Sequence, residues 1–118
     1  MEIKRQILQS LFVSGSVERI TELARGEKDH DLRLSAIQKL GIMGRKTGDT
    51  LVSIYGTEKE TDIRKEILKA LFVQDNAKAL VEIARKETDP ALKREAVSKL
   101  SIMRSKEATD FMMEILSK

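Results

Sequence analysis

Cysteine and tryptophan are absent from the 118 residues, proline and histidine occur once each, and glycine six times. Without cysteine there is neither a disulfide nor a thiolate metal site, and a reducing cytosol and a periplasm both tolerate such a chain. One proline and few glycines disfavour a loop-rich or β architecture. Three phenylalanines and one tyrosine leave little for stacking on bases. No apolar run approaches the roughly 18 residues of a membrane span, and no secretory-signal pattern opens the chain. The expectation is a soluble protein whose compartment stays open. The net charge of +3 is mild and gives no strong electrostatic footprint for nucleic acid or membrane.

Charge and short apolar stripes are what the chain does have. Charged residues make up 35% and apolar residues 41%, the balance given by many short amphipathic helices with one wet face each. The stretch Ile63–Ala91 sets the pattern. Ile63, Ile67, Leu68, Leu71 and Phe72 fall on one helical stripe. Asp75 and Asn76 interrupt it with residue types that cap a helix start, and Ala77, Leu80, Val81, Ile83 and Ala84 form a second stripe. Asp89 followed by Pro90 announces the next helix, as N-cap and first helical residue.

Shifted against itself, the chain shows four such units. Their first helices begin at Ile3, Leu32, Ile63 and Leu92, separated by 29, 31 and 29 residues. Their second helices match at Ile20, Leu51, Leu80 and Phe111, separated by 31, 29 and 31. The larger repeat is 60 residues, and residues 3–56 and 63–116 are identical at 18 of 54 positions. Units of about 1–29, 30–60, 61–89 and 90–118 therefore form a single domain. Two helices this short cannot bury their stripes alone, so the expected fold is all-α: an α-solenoid, or α-α superhelix, of four antiparallel helix pairs.

Unit by unit, the expected core is Ile3, Ile7, Leu8, Leu11 and Phe12, then Val17, Ile20, Leu23 and Ala24. The second unit contributes Leu32, Ala36, Ile37, Leu40 and Met43, with Leu51, Val52, Ile54 and Tyr55. The fourth contributes Leu92, Ala96, Val97, Leu100 and Met103, with Ala108, Phe111, Met112, Ile115 and Leu116. Ser16, Thr61 or Asp62, and Ser105 are the expected caps. Gly41–Gly48, the most glycine-rich stretch, is the expected flexible point.

The repeat resembles the HEAT family, especially the short bacterial HEAT-like repeats named after phycobilisome lyases. Asp31-Leu32-Arg33 with Ala36, Leu40 and Gly41 carries the resemblance. So do Asp62-Ile63-Arg64 with Leu71, and Asp89-Pro90-Ala91-Leu92-Lys93 with Ala96 and Leu100. It covers essentially the whole chain and departs in the longer turns of the even units and in Lys4 and Lys93 where arginine is usual. It implies a fold and leaves the ligand open, because such arrays serve many functions.

Chemistry-bearing constellations are few. His30, the only histidine, aligns with Pro90 and reads as a solvated loop residue, with no second histidine or cysteine to complete a metal or nucleophile site. The carboxylates Glu27, Asp29, Asp31, Glu58, Glu60 and Asp62 lie at helix starts, where capping and the helix dipole account for them. Gly41, Gly44 and Gly48 follow no strand and make no phosphate loop. The expectation is a protein with no catalytic residues, no cofactor and no metal.

A cation follows the first core residue of every unit: Lys4, Arg33, Arg64 and Lys93. It reads as a ladder meeting carboxylates of neighbouring loops, against the alternative of a basic stripe for phosphates. The second helices line the concave face in HEAT-type arrays, and here they expose Glu18, Arg19, Glu22, Lys78, Glu82, Asp110 and Met113. These mixed signs suit a protein or peptide partner, with Met113 adaptable to an irregular one. Leu34 breaks the pattern as an isolated exposed aliphatic.

The preferred reading is a non-catalytic protein–protein interaction scaffold. Its alternatives are a non-catalytic subunit of an enzyme complex, like the lyase-associated HEAT proteins, and a weak, non-specific nucleic-acid binder. Neither end carries a polar capping unit, so the expectation is a segment of a longer array or end-to-end self-association.

Overall fold

A computed structural model describes residues 2–117. Among them are eight α-helices and no strand: α1 (Glu2–Val13), α2 (Val17–Gly26), α3 (His30–Ile42), α4 (Gly48–Thr57), α5 (Thr61–Val73), α6 (Ala77–Lys86), α7 (Pro90–Ser101) and α8 (Lys106–Leu116). A short 3-10 turn, Arg45–Thr47, precedes α4.

Most starts are set by short polar side chains that accept the free N–H groups of a first turn. Asp29 accepts from Leu32 N–H at 2.9 Å, Asn76 from Ala79 N–H at 3.2 Å, Asp89 from Ala91 N–H at 2.8 Å and Ser105 from Ala108 N–H at 3.1 Å. Two starts differ from expectation. Ser16 stands at the N-cap of α2 but hydrogen-bonds the Ser14 hydroxyl at 2.9 Å. α5 begins at Thr61 behind Glu60, whose side chain caps nothing because it is drawn to Arg33.

Each helix packs on its neighbour in sequence and on the helix after that: α1 with α3, α3 with α5, α5 with α7, and likewise α2, α4, α6 and α8 in series. The result measures 51 × 25 × 18 Å. Side chains fix the register. Lys39 lies over the Phe12 ring at 5.1 Å, and its 60-residue counterpart Lys99 over Phe72 at 5.9 Å. Between them, α3 and α5 come so close at Gly41 that a Cβ there would meet the Ala70 Cβ at 2.8 Å. The C-terminal ends of α1, α3, α5 and α7 therefore adjoin.

The middle of the core is as the stripes imply: Leu32, Ile37, Leu40, Leu51, Ile63, Ile67, Leu68, Leu71 and Leu80 are all fully buried. The ends are not. Ile3 and Ile7, expected inside, are 71% and 51% exposed, whereas their counterparts Ile63 and Ile67 are at 0%. The reason is position: α5 is covered by α3 and α7, and α1 only by α3. Leu116, at 77%, is exposed at the other end, and Ile115 is partly so. Leu34, expected exposed, packs half-buried at the margin of the core.

Gly41–Gly48, expected to be the flexible point, is pinned. Gly44 takes φ +93°, the left-handed region where a glycine is unstrained. Thr47 is fully buried, donates to Leu40 O at 2.6 Å, and accepts from Gln74 Nε2 at 2.6 Å. Gln74 also donates to Gly44 O at 2.7 Å, and Arg45 to Asp75 O at 2.7 Å. The longer turn of the second unit thus ties it to the third.

Candidate docking surface

The recurring cation is built into the packing. Arg33 donates through Nε to Ala24 O at 3.0 Å, an end carbonyl of α2, and pairs through its other nitrogens with Glu58 and, at 2.8 Å, Glu60. Arg64 repeats the arrangement one unit on, donating to Glu58 O at 2.6 Å and lying 3.8 Å from Glu87. Lys4 meets Glu27 at 2.8 Å. Each cation therefore joins the first helix of a unit to the loop leaving its second. The carboxylates Glu27, Glu58 and Glu87 recur at 31 and 29 residues, and each accepts an N–H of its own loop, from Asp29, Glu60 and Asp89 respectively. Their work is pairing and loop closure; of the six carboxylates expected to serve helix starts, Asp29 is the one standing as a side-chain N-cap, and Asp89 caps α7 as expected. In the fourth unit the matching position is Lys118, which lies outside the described residues.

Proton affinities follow the pairing. The hydrogen bond from Lys4 holds the Glu27 carboxyl below the usual range, and the same contact raises Lys4. Burial pushes Tyr55 up, and its hydrogen bond to Glu87 pushes it further. Burial alone would raise Glu87, but the Tyr55 hydroxyl, loop N–H groups and Arg64 together hold it low.

The seven side chains expected to contact a partner are all exposed: Glu18, Arg19 and Glu22 on α2, Lys78 and Glu82 on α6, Asp110 and Met113 on α8. They fall in three places. Lys78 and Glu82 line a cleft of about 300 Å³ at the start of α6, faced by Arg45, Asp49, Asp75 and Glu107. Glu82 also borders an adjoining cleft of about 340 Å³, walled by Val52, Tyr55, Arg64 and Lys86. Arg19 and Glu22 edge a separate hollow of about 360 Å³ against Ile7 and Leu11. Asp110 is engaged by Lys106 at 2.8 Å on its own helix, and Met113, 60% exposed, lines none of these clefts.

Tyr55, Glu87 and Arg45 line the same clefts and are not among the seven expected residues. The recurrence of Glu27, Glu58 and Glu87 was the signal available. Tyr55 offered only its rarity.

His30 differs from a plain solvated loop residue. Its ring engages Asp62 through Nε2 and lies 3.4 Å from Glu60 through Nδ1, and the Asp62 hydrogen bond raises its pKa. The ligand atoms of the three groups lie within 4.8 Å of one another. Both ring nitrogens face carboxylates, Nε2 that of Asp62 and Nδ1 that of Glu60. Comparison of the chain with protein-family models, with curated proteins and with solved structures finds no match.

Proposed function

We propose that this chain is an α-solenoid of HEAT-like repeats acting as a non-catalytic scaffold that docks a protein or peptide on the face of its second helices. The array reading draws its support from the serial contacts among odd and among even helices, and from a cation ladder repeating at unit spacing. The docking reading rests on one observation: two clefts on α4 and α6 meet at Glu82, rimmed by Arg45, Asp49, Asp75, Lys78 and Lys86, a mixture of both signs. Mixed charge over small apolar side chains such as Ala77 and Ala79 favours a polar polypeptide with matched charges. It is poorly matched to the uniform charge of a phosphate backbone.

The alternative of a non-catalytic subunit in a lyase-type enzyme complex, which would want an apolar groove lined by aromatics, finds less to stand on. A single aromatic, Tyr55, lines the clefts, and its hydroxyl is committed to Glu87.

Affinity purification from source cells with quantitative mass spectrometry tests the scaffold. Partners recovered with the wild type should be lost with Lys78→Glu/Glu82→Lys, whose melting temperature should not change. Equal recovery with both proteins refutes this face as the docking site.

A further inference from the structure

Four aliphatic residues occupy the same place in the four units: Val13, Ile42, Val73 and Ile102, at spacings of 29, 31 and 29. Each ends or directly follows an odd-numbered helix. They are 75%, 61%, 58% and 68% exposed. A lone exposed aliphatic is ordinary, but this one recurs in every unit, and both pairs are among the 18 identities between the halves. Of the adjacent positions, Phe12/Phe72 and Met43/Met103 are also retained, while Ser14/Gln74 and Gly41/Ser101 have drifted; the first two pairs are at least partly buried and the aliphatics are not.

Two of the four already share a hollow. Ile42 and Val73 flank a cleft of about 400 Å³ floored by Gly41 and Ala70, where α3 and α5 approach most closely. The Phe12–Lys39 and Phe72–Lys99 contacts bring Val13 toward Ile42, and Val73 toward Ile102, in the same way.

The charge around them is mostly positive. In residues 10–16, 39–47, 69–76 and 99–105 there are six cations (Lys39, Arg45, Lys46, Lys69, Lys99, Arg104) and one carboxylate, Asp75, and Glu66 adds a second carboxylate beside Lys69 in the wall of the cleft. The loops at the opposite helix ends, 27–31, 58–62 and 87–89, hold eight carboxylates against two lysines and one histidine.

We propose that the edge formed by Val13, Ile42, Val73 and Ile102 is a second docking surface, taking an acidic amphipathic helix from a protein partner. This rests on the array reading above, which sets the four residues in a row. Packed helices lie about 8–10 Å apart, and one heptad of a helix rises about 10.5 Å. A partner helix with an apolar residue every seventh position therefore presents one anchor to each unit, with carboxylates between them facing the lysines. Single short aliphatics spaced this widely, with no tryptophan, do not form the broad apolar face of a membrane-surface element.

The test uses a fluorescein-labelled synthetic helix of about 28 residues, glutamate-rich with leucine at every seventh position, titrated with the full chain. Saturable, salt-sensitive binding is expected, weakened about tenfold or more by Ile42→Ser/Val73→Ser and unchanged by Lys78→Glu/Glu82→Lys. No saturable binding, equal binding of a peptide with shuffled leucines, or an unweakened serine variant overturns the proposal. So does the serine variant losing attachment to phosphatidylserine vesicles, or losing self-association in sedimentation, while peptide binding is unchanged. Spin labels on Val13→Cys and Val73→Cys, unambiguous in a cysteine-free chain, check the row separately. A separation of about 20 Å, two helix spacings, upholds the array. Another distance sinks the array reading, whereas the right distance with no peptide binding sinks only the docking.

Discussion

Removing Glu58 should expose how much of the fold the cation ladder holds. The Arg33 and Glu58 side chains are 12% and 6% exposed, so their pairing takes place largely out of water. Deleting one partner of a buried pair costs about 3–5 kcal/mol, because the other is left charged and under-solvated. Here Arg33 keeps Glu60 at 2.8 Å and Ala24 O at 3.0 Å, which offsets part of the loss. The Glu60 N–H, which donates to Glu58 at 3.1 Å, loses its acceptor and adds to it. The expected cost of Glu58→Ala is about 2–4 kcal/mol. At about 4 °C per kcal/mol for a chain of this length, Tm falls by about 8–16 °C. Glu27→Ala should lower Tm far less, since Lys4 is 54% exposed and its pairing is screened. Replacing both charges, Arg33→Met with Glu58→Leu, should be milder than Glu58→Ala. Circular dichroism melts and urea titrations of the four proteins decide it. If Glu58→Ala melted with the wild type, Arg33 would be hydrated, the ladder would be incidental, and a phosphate-binding stripe would regain standing.

Leu71→Ala, at a fully buried position, should cost about 2–5 kcal/mol in urea unfolding, and an unchanged midpoint would mean the core face is misassigned. Tyr55, the only tyrosine, should show no phenolate absorbance step near its ordinary pKa of about 10 until the protein unfolds, because burial and then Glu87 raise it. The unfolded chain loses that proton first, so stability should fall as pH climbs above about 10. His30 is raised, mainly by its Asp62 hydrogen bond. Its stabilising contribution is complete below about 6.5 and lost as pH rises through the higher folded value. An NMR titration of the single imidazole should show Asp62→Asn returning it toward the ordinary value. Hydrogen exchange should be slowest in α3 and α5, each covered on both sides, and fastest in α1 and α8.

Periodicity made the helices legible, since a stripe at Ile63, Ile67, Leu68 and Leu71 admits one secondary structure, and the capping residues Asp29, Asn76, Asp89 and Ser105 marked real starts. The ladder was legible for three of its four rungs, because a cation recurs in every unit and a carboxylate in the first three; Lys93, expected as the fourth rung, forms no ion pair among the described residues. Exposure at the ends was not. Ile3 and Ile63 sit in the same local pattern, and only the number of neighbouring helices separates 71% from 0%. Glycines at 41, 44 and 48 suggested looseness because a sequence shows permissiveness, not what fills the space. Here the Ala70 methyl, the Thr47 hydroxyl and the Gln74 amide fill it. The contact surface was read as separate exposed residues, and the clefts at Glu82 required knowing that α4 and α6 touch.

The duplication bears on whether copies join end to end. Joined that way, the fourth unit of one copy would meet the first of another, in the relation that the second unit bears to the third. The central junction closes through Gly41 on Ala70, Thr47 with Gln74, Arg45 with Asp75, and Tyr55 with Glu87. The 60-residue counterparts of these pairs are Ser101 and Ser10, Glu107 and Ser14, Ser105 and Gly15, Ile115 and Glu27. A Cβ on Ser101 prevents the close approach that Gly41 allows, and Glu107 would put a charge where Thr47 is buried. Exposed Ile3 and Ile7 supply apolar area for such a contact, but the specific closures are missing. Divergence between the halves has thus fallen on the junction itself, so the two repeats are not interchangeable. This favours the internal pairing over an open chain of copies.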